Sequence, residues 1–282
     1  MPKHIVCLTF DFDAISGFIS RGQTTPGWIS RGEFGPRVGA PRLLALFKKH
    51  GIQTSWYVPG HTIETYPDAV KAVVDAGHEI AHHGWTHRPP ATLSREKEEE
   101  ELIRGNDAIR RISGRAARGY RSPSWDLSPH SVELMLKHGF VYDSSMMGDD
   151  YTPYYARQGD VIELKQPARF GHHSPLVEMP IHWSTDDSPH FEFVRTDQSV
   201  RQGLQNAHNV EDNWIGDFRY MRKAVEWGVL TYTCHPFIIG RGHRIMMLER
   251  LIETMKDEGA VFQRVDDTVD QFRKRSPATA AT

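Results

Sequence analysis

The chain has 282 residues and a formal charge of −2. That length suits one large α/β barrel or two ordinary domains, and the near-balanced charge offers no footprint for nucleic acid or an anionic membrane. Only two cysteines are present, Cys7 and Cys234; both sit in apolar runs, which argues against a disulfide framework and for buried thiols in a reducing compartment.

The opening MPKHIVCLTFDFD runs straight into a strand-like segment. It lacks the basic region, apolar stretch and cleavage site of a secretory signal, and no window approaches the ~18 apolar residues of a membrane helix. The expectation is a cytoplasmic protein without a membrane span. Residues 14–40 are glycine-rich without a clear period and read as a long inserted loop. Next, PRLLALFKKHG leads into IQTSWYV, YPDAVKAVVDAG into HEIAHH, LSREKEEEELIRGNDAIRRISG into RAARGYRS, and SPHSVELMLKHG into FVYDSS. Residues 149–210 are again irregular, after which WIGDFRYMRKAVEWG leads into VLTYTCH and RIMMLERLIETMKDEG into AVFQRV. Each helical stripe ends at a glycine (Gly51, Gly77, Gly114, Gly139, Gly228, Gly259) suited to the left-handed residue past a helix end. Ser94 and Ser128 suit helix N-caps, and EKEEEE reads as a solvated helix face.

About seven strands alternating with helices predict an α/β fold: a parallel sheet with helices outside, closed as a barrel or open and doubly wound. The boundaries are one domain over residues 1–275, interrupted by the irregular insertions 14–40 and 149–210, then a frayed tail over 276–282. Long loops on such a scaffold serve as lids, binding loops or oligomer contacts, so a homo-oligomer is expected.

The polar residues gather at strand ends. The first strand ends in Asp11 and Asp13, another in His61, the third in AHHGWTH, the fourth in GYRSPSW and a later one in TCHPF. In parallel α/β folds that face carries the active site. His83 and His87, four apart across a glycine, can turn to one point, although spacing alone leaves His82 an equal partner for His87. Strand alternation admits only one of His82 and His83 to that face. Asp11 or Asp13 would complete two imidazoles and a carboxylate, a set that leaves a metal one open position for water. The other aspartate is then free to act as general base. Arg121 near a catalytic carboxylate would hold it ionised. Trp125 offers a flat wall for a sugar or heterocycle, and His235 can protonate a leaving nitrogen, oriented by Asp186 or Asp187. Arg241 and Arg244 in GRGHR would recognise a substrate carboxylate or anionic ring, or lie on the surface.

Taken in order, DFD, HGWTH, RSPSW and LTYTCH resemble the motifs of the polysaccharide deacetylase (NodB-homology) family, over most of the chain. The resemblance implies a deformed (β/α)7 barrel that hydrolyses non-peptide carbon–nitrogen bonds. Carried over by position, Asp11 is the base, Asp13, His83 and His87 are the metal ligands, Arg121 holds the base, Trp125 walls the substrate and His235 is the acid. Phe12 separates two aspartates that are usually adjacent in the family, and extra residues precede the late histidine. The insertion after Asp13 and the HPFIIGRGHR run are similar to a cytoplasmic branch of allantoinase-like enzymes, cyclic-imide hydrolases and peptidoglycan deacetylase-like proteins.

The expected enzyme uses one divalent metal, zinc first, with cobalt, nickel or manganese as alternatives. Its substrate is a small amide, a cyclic imide or ureide, or an N-acetyl sugar. The rival is a non-catalytic carbohydrate-binding barrel, in which Trp125, Tyr151, Tyr154 and Trp183 would be the sugar-contacting aromatics.

Overall fold

The structure is a computed structural model and describes residues 3–196 and 199–278. Its strands are β1 (His4–Asp11), β2 (Ser55–Val58), β3 (Glu79–His82), β4 (Gly119–Tyr120), β5 (Tyr142–Asp143), β6 (Tyr154–Gln158), β7 (His172–Glu178), β8 (Val194–Arg195), β9 (Val200–Arg201), β10 (Gly228–Cys234) and β11 (Val261–Phe262). The main sheet runs β10-β1-β2-β3-β4-β5-β7-β6, with β11 beside β1 and β8–β9 as a separate ribbon. Neighbours from β10 round to β7 are parallel, whereas β6 returns antiparallel on β7. A single parallel bridge, Asp186 to Thr233, links the chain after β7 to β10. The result is a deformed (β/α)7 barrel whose seam between β7 and β10 is barely paired.

Two staves differ from the sequence expectation. AVFQRV contributes only β11, which pairs with Ile5 and Val6 at the start of β1. The seventh stave is instead β7, from within the segment read as irregular. Its register with β5 covers two residues and its partner β6 is bulged, so no long apolar alternation marks it.

Side-chain parity decides what the barrel encloses. In β1, Val6, Leu8, Phe10 and then Phe12 join the core under the helices, while Ile5 and Cys7 join a second cluster with Tyr57, Ala81 and Tyr142. Successive strand residues point to opposite faces, so the odd positions of β1 line the barrel interior and end in Asp11 and Asp13. By the same rule Ala81 points inward and His82 outward, which turns His83 to the interior.

The 14–40 insertion is helical, contrary to the loop reading: Ser16–Ile19, Pro26–Phe34 and a π-turn over Gly35–Gly39 continue into Ala40–His50. Its glycines serve close packing. A Cβ on Gly32 would lie 2.5 Å from the Ala14 carbonyl oxygen, and one on Gly39 would collide with the carbonyl of Pro236. Gly228 is a further correction: it opens β10, and the preceding helix Ala207–Ala224 ends at Val225. Ser94 caps as expected, accepting from Lys97 N–H, but Ser128 lies before the true cap position, His130. Nor is EKEEEE simply solvated. Glu98 is buried and accepts from both Ser128 and Ser131. Both cysteines are buried and free. Among the described residues no helix is long and apolar enough to cross a membrane. Residues 279–282 of the expected tail lie outside the described residues.

Candidate metal and catalytic site

The ligand cluster is built from backbone upward. Beyond β1 the chain turns sharply at Ala14, φ 49°, and the Asp13 carbonyl is pinned by the hydroxyls of Ser16 and Thr62 at 2.6 and 2.8 Å. His83 Nδ1 donates to the Arg121 carbonyl at 2.7 Å. That bond fixes the tautomer and presents the Nε2 lone pair to Asp13. The chain then turns through Gly84 and reaches His87, itself left-handed at φ 59°. Glu101 secures this loop: its carboxylate accepts from Trp85 N–H at 2.6 Å, Thr86 N–H at 2.9 Å and the Thr86 hydroxyl at 2.8 Å. Here the acidic helix has a structural task that a charge run does not advertise.

Asp13, His83 and His87 bring ligand atoms within 4.8 Å of one another. His83 Nε2 and Asp13 Oδ1 stand 3.4 Å apart, yet both are buried without a hydrogen-bond partner. Two facing acceptors in a dry site are costly unless a cation lies between them. Two imidazole nitrogens and one carboxylate are the donor set of an open zinc-type site, so these residues fit a divalent metal. Burial would raise the Asp13 carboxyl, but the His87 and His83 rings override it and hold that group well below the usual carboxylate range. His82 is excluded. Its Nδ1 accepts from Gly84 N–H at 3.0 Å and its Nε2 donates to the Leu102 carbonyl at 3.1 Å, and burial pushes the ring down to about 3.

Asp11 lies beside this cluster, with Oδ2 3.8 Å from His83 Nε2. Its Oδ1 accepts from Arg121 Nη1 at 2.7 Å. Arg121 is fully buried and also donates to the Thr9 hydroxyl, the Ser144 hydroxyl and the Ser144 carbonyl, with its guanidinium 3.9 Å over the Tyr57 ring. Across the site, His235 Nε2 is 3.9 Å from Asp13 Oδ2. The sequence left its partner open; the structure selects Asp187, which accepts from His235 Nδ1 at 2.7 Å and from the His235 backbone N–H at 2.9 Å. Burial would lower His235, but Asp187 drives it well above the ordinary histidine value. Asp186 is the second carboxylate there, 3.7 Å from Nδ1, and burial pushes it up to about 7.

These residues open into a pocket of about 120 Å³. Larger cavities of about 800 and 490 Å³ exist beside Phe262 and Trp227, but they gather none of the strand-end residues. One wall is Trp125 stacked on Trp183, centroids 4.0 Å apart and planes at 24°. Ser124 and Trp125 are both left-handed, at φ 59° and 56°, a strained pair of the kind that collects at ligand sites.

Not every expected residue arrives. Tyr151 packs near Tyr220, and its carbonyl accepts from Val229 N–H. That is the start of β10, roughly 20 Å from His235 at the rise of an extended strand, so Tyr151 does not line the pocket. Arg241 lies over the Phe34 ring at 3.6 Å. Arg244 is a buried clamp that donates to the carbonyls of Ile238 and Phe191; it braces the segments carrying His235 and Asp187 rather than facing substrate. His61 stays outside the pocket lining, and its N–H donates to the Trp85 carbonyl at 2.9 Å. In their place the pocket takes Arg21 from the first insertion and Glu192 and Arg201 from the second. The sequence marked both insertions as functional, but without periodicity nothing singled out these positions.

The polysaccharide deacetylase family model matches residues 1–142. A peptidoglycan deacetylase of Helicobacter pylori is 37% identical over 291 residues, spanning 98% of this chain and 99% of that protein. This chain belongs to the polysaccharide deacetylase family. A Mycobacterium smegmatis structure described under polysaccharide deacetylases superposes with a TM-score of 0.85 at 28% identity, over 100% of this chain and 94% of that one. The structure of PuuE allantoinase, at 22% identity and TM-score 0.76 over 98% and 91% of the two chains, shares the fold. The chain is thus a deacetylase-like hydrolase of carbon–nitrogen bonds. Its Asp-Phe-Asp departure from an adjacent pair still delivers two carboxylates, because alternation turns Phe12 away against Trp56.

Proposed function

We propose that this enzyme hydrolyses the amide or imide carbon–nitrogen bond of a small molecule, using one divalent metal, zinc first, held by Asp13, His83 and His87. The observation that carries this reading is the small pocket, about 120 Å³, whose lining includes Trp183 and Arg201 from the 149–210 insertion. An enclosed site suits a small ring or acyl compound, whereas a polymer requires an open groove.

The metal would supply Lewis acidity, making water more acidic and the carbonyl more electrophilic. Asp11, oriented by the Arg121 guanidinium, takes a proton from the attacking water. The water oxygen bonds to the carbonyl carbon, the carbon–nitrogen bond breaks, and His235 Nε2 delivers its proton to the departing nitrogen. Asp187 keeps His235 protonated and aimed for that transfer. Trp125 and Trp183 form the flat wall against the ring or acyl plane.

A second reading, removal of an N-acetyl group from a sugar, is favoured by the end-to-end similarity to the Helicobacter pylori peptidoglycan deacetylase. Assaying succinimide, hydantoin and allantoin for ring opening, beside N-acetylglucosamine oligomers for acetate release, with zinc or cobalt added, separates the two. Ring opening supports the first reading and acetate release the second. Stoichiometric metal with no turnover of any amide would favour the carbohydrate-binding alternative.

We also propose a cytoplasmic homo-oligomer, supported by the two free buried cysteines and by Ile162, Leu164 and Phe170, exposed between and beside β6 and β7. Light scattering of the purified chain tests the assembly, and fractionation of the source cells tests the location.

A further inference from the structure

We infer that the substrate carries a carboxylate, received by Arg21 and Arg201 at the pocket mouth; this rests on the reading of the pocket as a carbon–nitrogen hydrolase site. Both arginines line the pocket that contains Asp13 and His235, and they come from different insertions. The acidic residue beside them, Glu192, is already engaged: Oε1 accepts from Arg31 at 3.1 Å and Oε2 from Arg201 at 2.5 Å. Arg21 reaches only the side-chain amide of Gln23, at 3.4 Å, and lies 5.4 Å from the Phe18 ring centre; no carboxylate among the described residues accepts a hydrogen bond from it. Among the described residues, Arg21, Arg31 and Arg201 therefore gather around Glu192. Arg241 stands within electrostatic range of Arg31 and Arg42 and adds to the excess.

The same pocket also holds Asp11, Asp13 and Asp186 beside His235. With Asp13, His83 and His87 committed to the metal and Asp11 and His235 to proton transfer, Arg21 and Arg201 remain to attract an anionic substrate end, which sets the orientation before any chemistry begins. A planar guanidinium fork matches a carboxylate in two-point geometry, and the Trp125–Trp183 stack supports the ring between the two ends. The class indicated is a small cyclic imide, ureide or N-acyl compound bearing one carboxylate away from the scissile carbonyl.

The test compares hydantoin-5-acetate with hydantoin-5-acetamide, equal in shape and different in charge, on the zinc-loaded wild type, R21Q and R201Q. The wild type should prefer the carboxylate by at least about tenfold in kcat/KM, chiefly through KM, and R21Q should bring the ratio close to one, with R201Q reducing it. No preference in the wild type, or a preference intact in both variants, overturns the inference while leaving the hydrolase reading in place. If neither compound is opened, the hydrolase reading fails for this class, and calorimetric titration with hydantoin-5-acetate then decides the inference alone. Binding present in the wild type and lost in R21Q supports it; equal binding in both, or none in the wild type, overturns it.

Discussion

Replacing Glu101 by alanine removes three hydrogen bonds at once, two of them to the backbone of Trp85 and Thr86. At ~1 kcal/mol each, a low value for bonds to a charged acceptor but suited to a half-buried group, the loss is about 3 kcal/mol of stability. The same loop carries His87 in a left-handed conformation that costs on the order of 1–3 kcal/mol and persists only while its surroundings hold it. Freed from Glu101, the loop should relax and move His87 Nε2 off the point it shares with Asp13, 3.2 Å away. Loss of such outer support weakens metal binding by roughly 10- to 100-fold. Urea unfolding would measure the first effect, and competition with a chromophoric zinc chelator the second. Glu101→Gln, which keeps one acceptor oxygen, should fall between wild type and alanine on both scales. An alanine variant that loses the stability and binds zinc as tightly as the wild type would refute the idea that Glu101 positions the ligand.

Other perturbations separate residues that the sequence places side by side. Asp13→Asn should abolish stoichiometric zinc, whereas His82→Ala should retain it and lose about 2–4 kcal/mol of stability, because Gly84 N–H and the Leu102 carbonyl are left unpaired; elemental analysis beside urea unfolding reads both. Arg121→Met leaves Asp11 as an uncompensated buried charge and should cost about 3–5 kcal/mol, seen as a lowered unfolding midpoint. His78, remote from the site, is pushed down to about 4 by burial and then by Arg264. The unfolded chain takes up that proton near the ordinary value of about 6.5 and the folded chain only near 4, so stability should drop as pH falls through this window. His78→Gln should flatten that part of the pH–Tm curve, and an unchanged curve would exclude His78 as its source.

The site was legible wherever a residue is tied to the sheet. Asp11, Asp13, His83, Arg121 and His235 all follow strands whose parity and direction the apolar pattern specifies, and a parallel barrel gathers such ends at one mouth. Side-chain alternation admitted only one of His82 and His83 to the site, and the HGWTH resemblance picked His83. Residues anchored to the insertions were not legible. Arg21 and Arg201 line one pocket from positions 180 apart in the chain, and no local period encodes such a meeting. Arg244 misled for the opposite reason: a cation in a polar run looks exposed, yet this one is buried against two carbonyls. The stave β7 showed only through its last residues, in the short strand-like piece LVEMPIHW within the irregular segment, because a strand that borrows most of its pairing from a bulged hairpin needs little alternation of its own.

Arg121 occupies a singular position in this arrangement. Its guanidinium grips the Asp11 carboxylate and its own carbonyl grips the His83 ring. The spacing between proton acceptor and metal ligand is therefore set within one residue and does not depend on how the two insertions move. Loops above the mouth are free to diverge, and with them the choice of substrate, while the distance that the chemistry depends on is inherited unchanged.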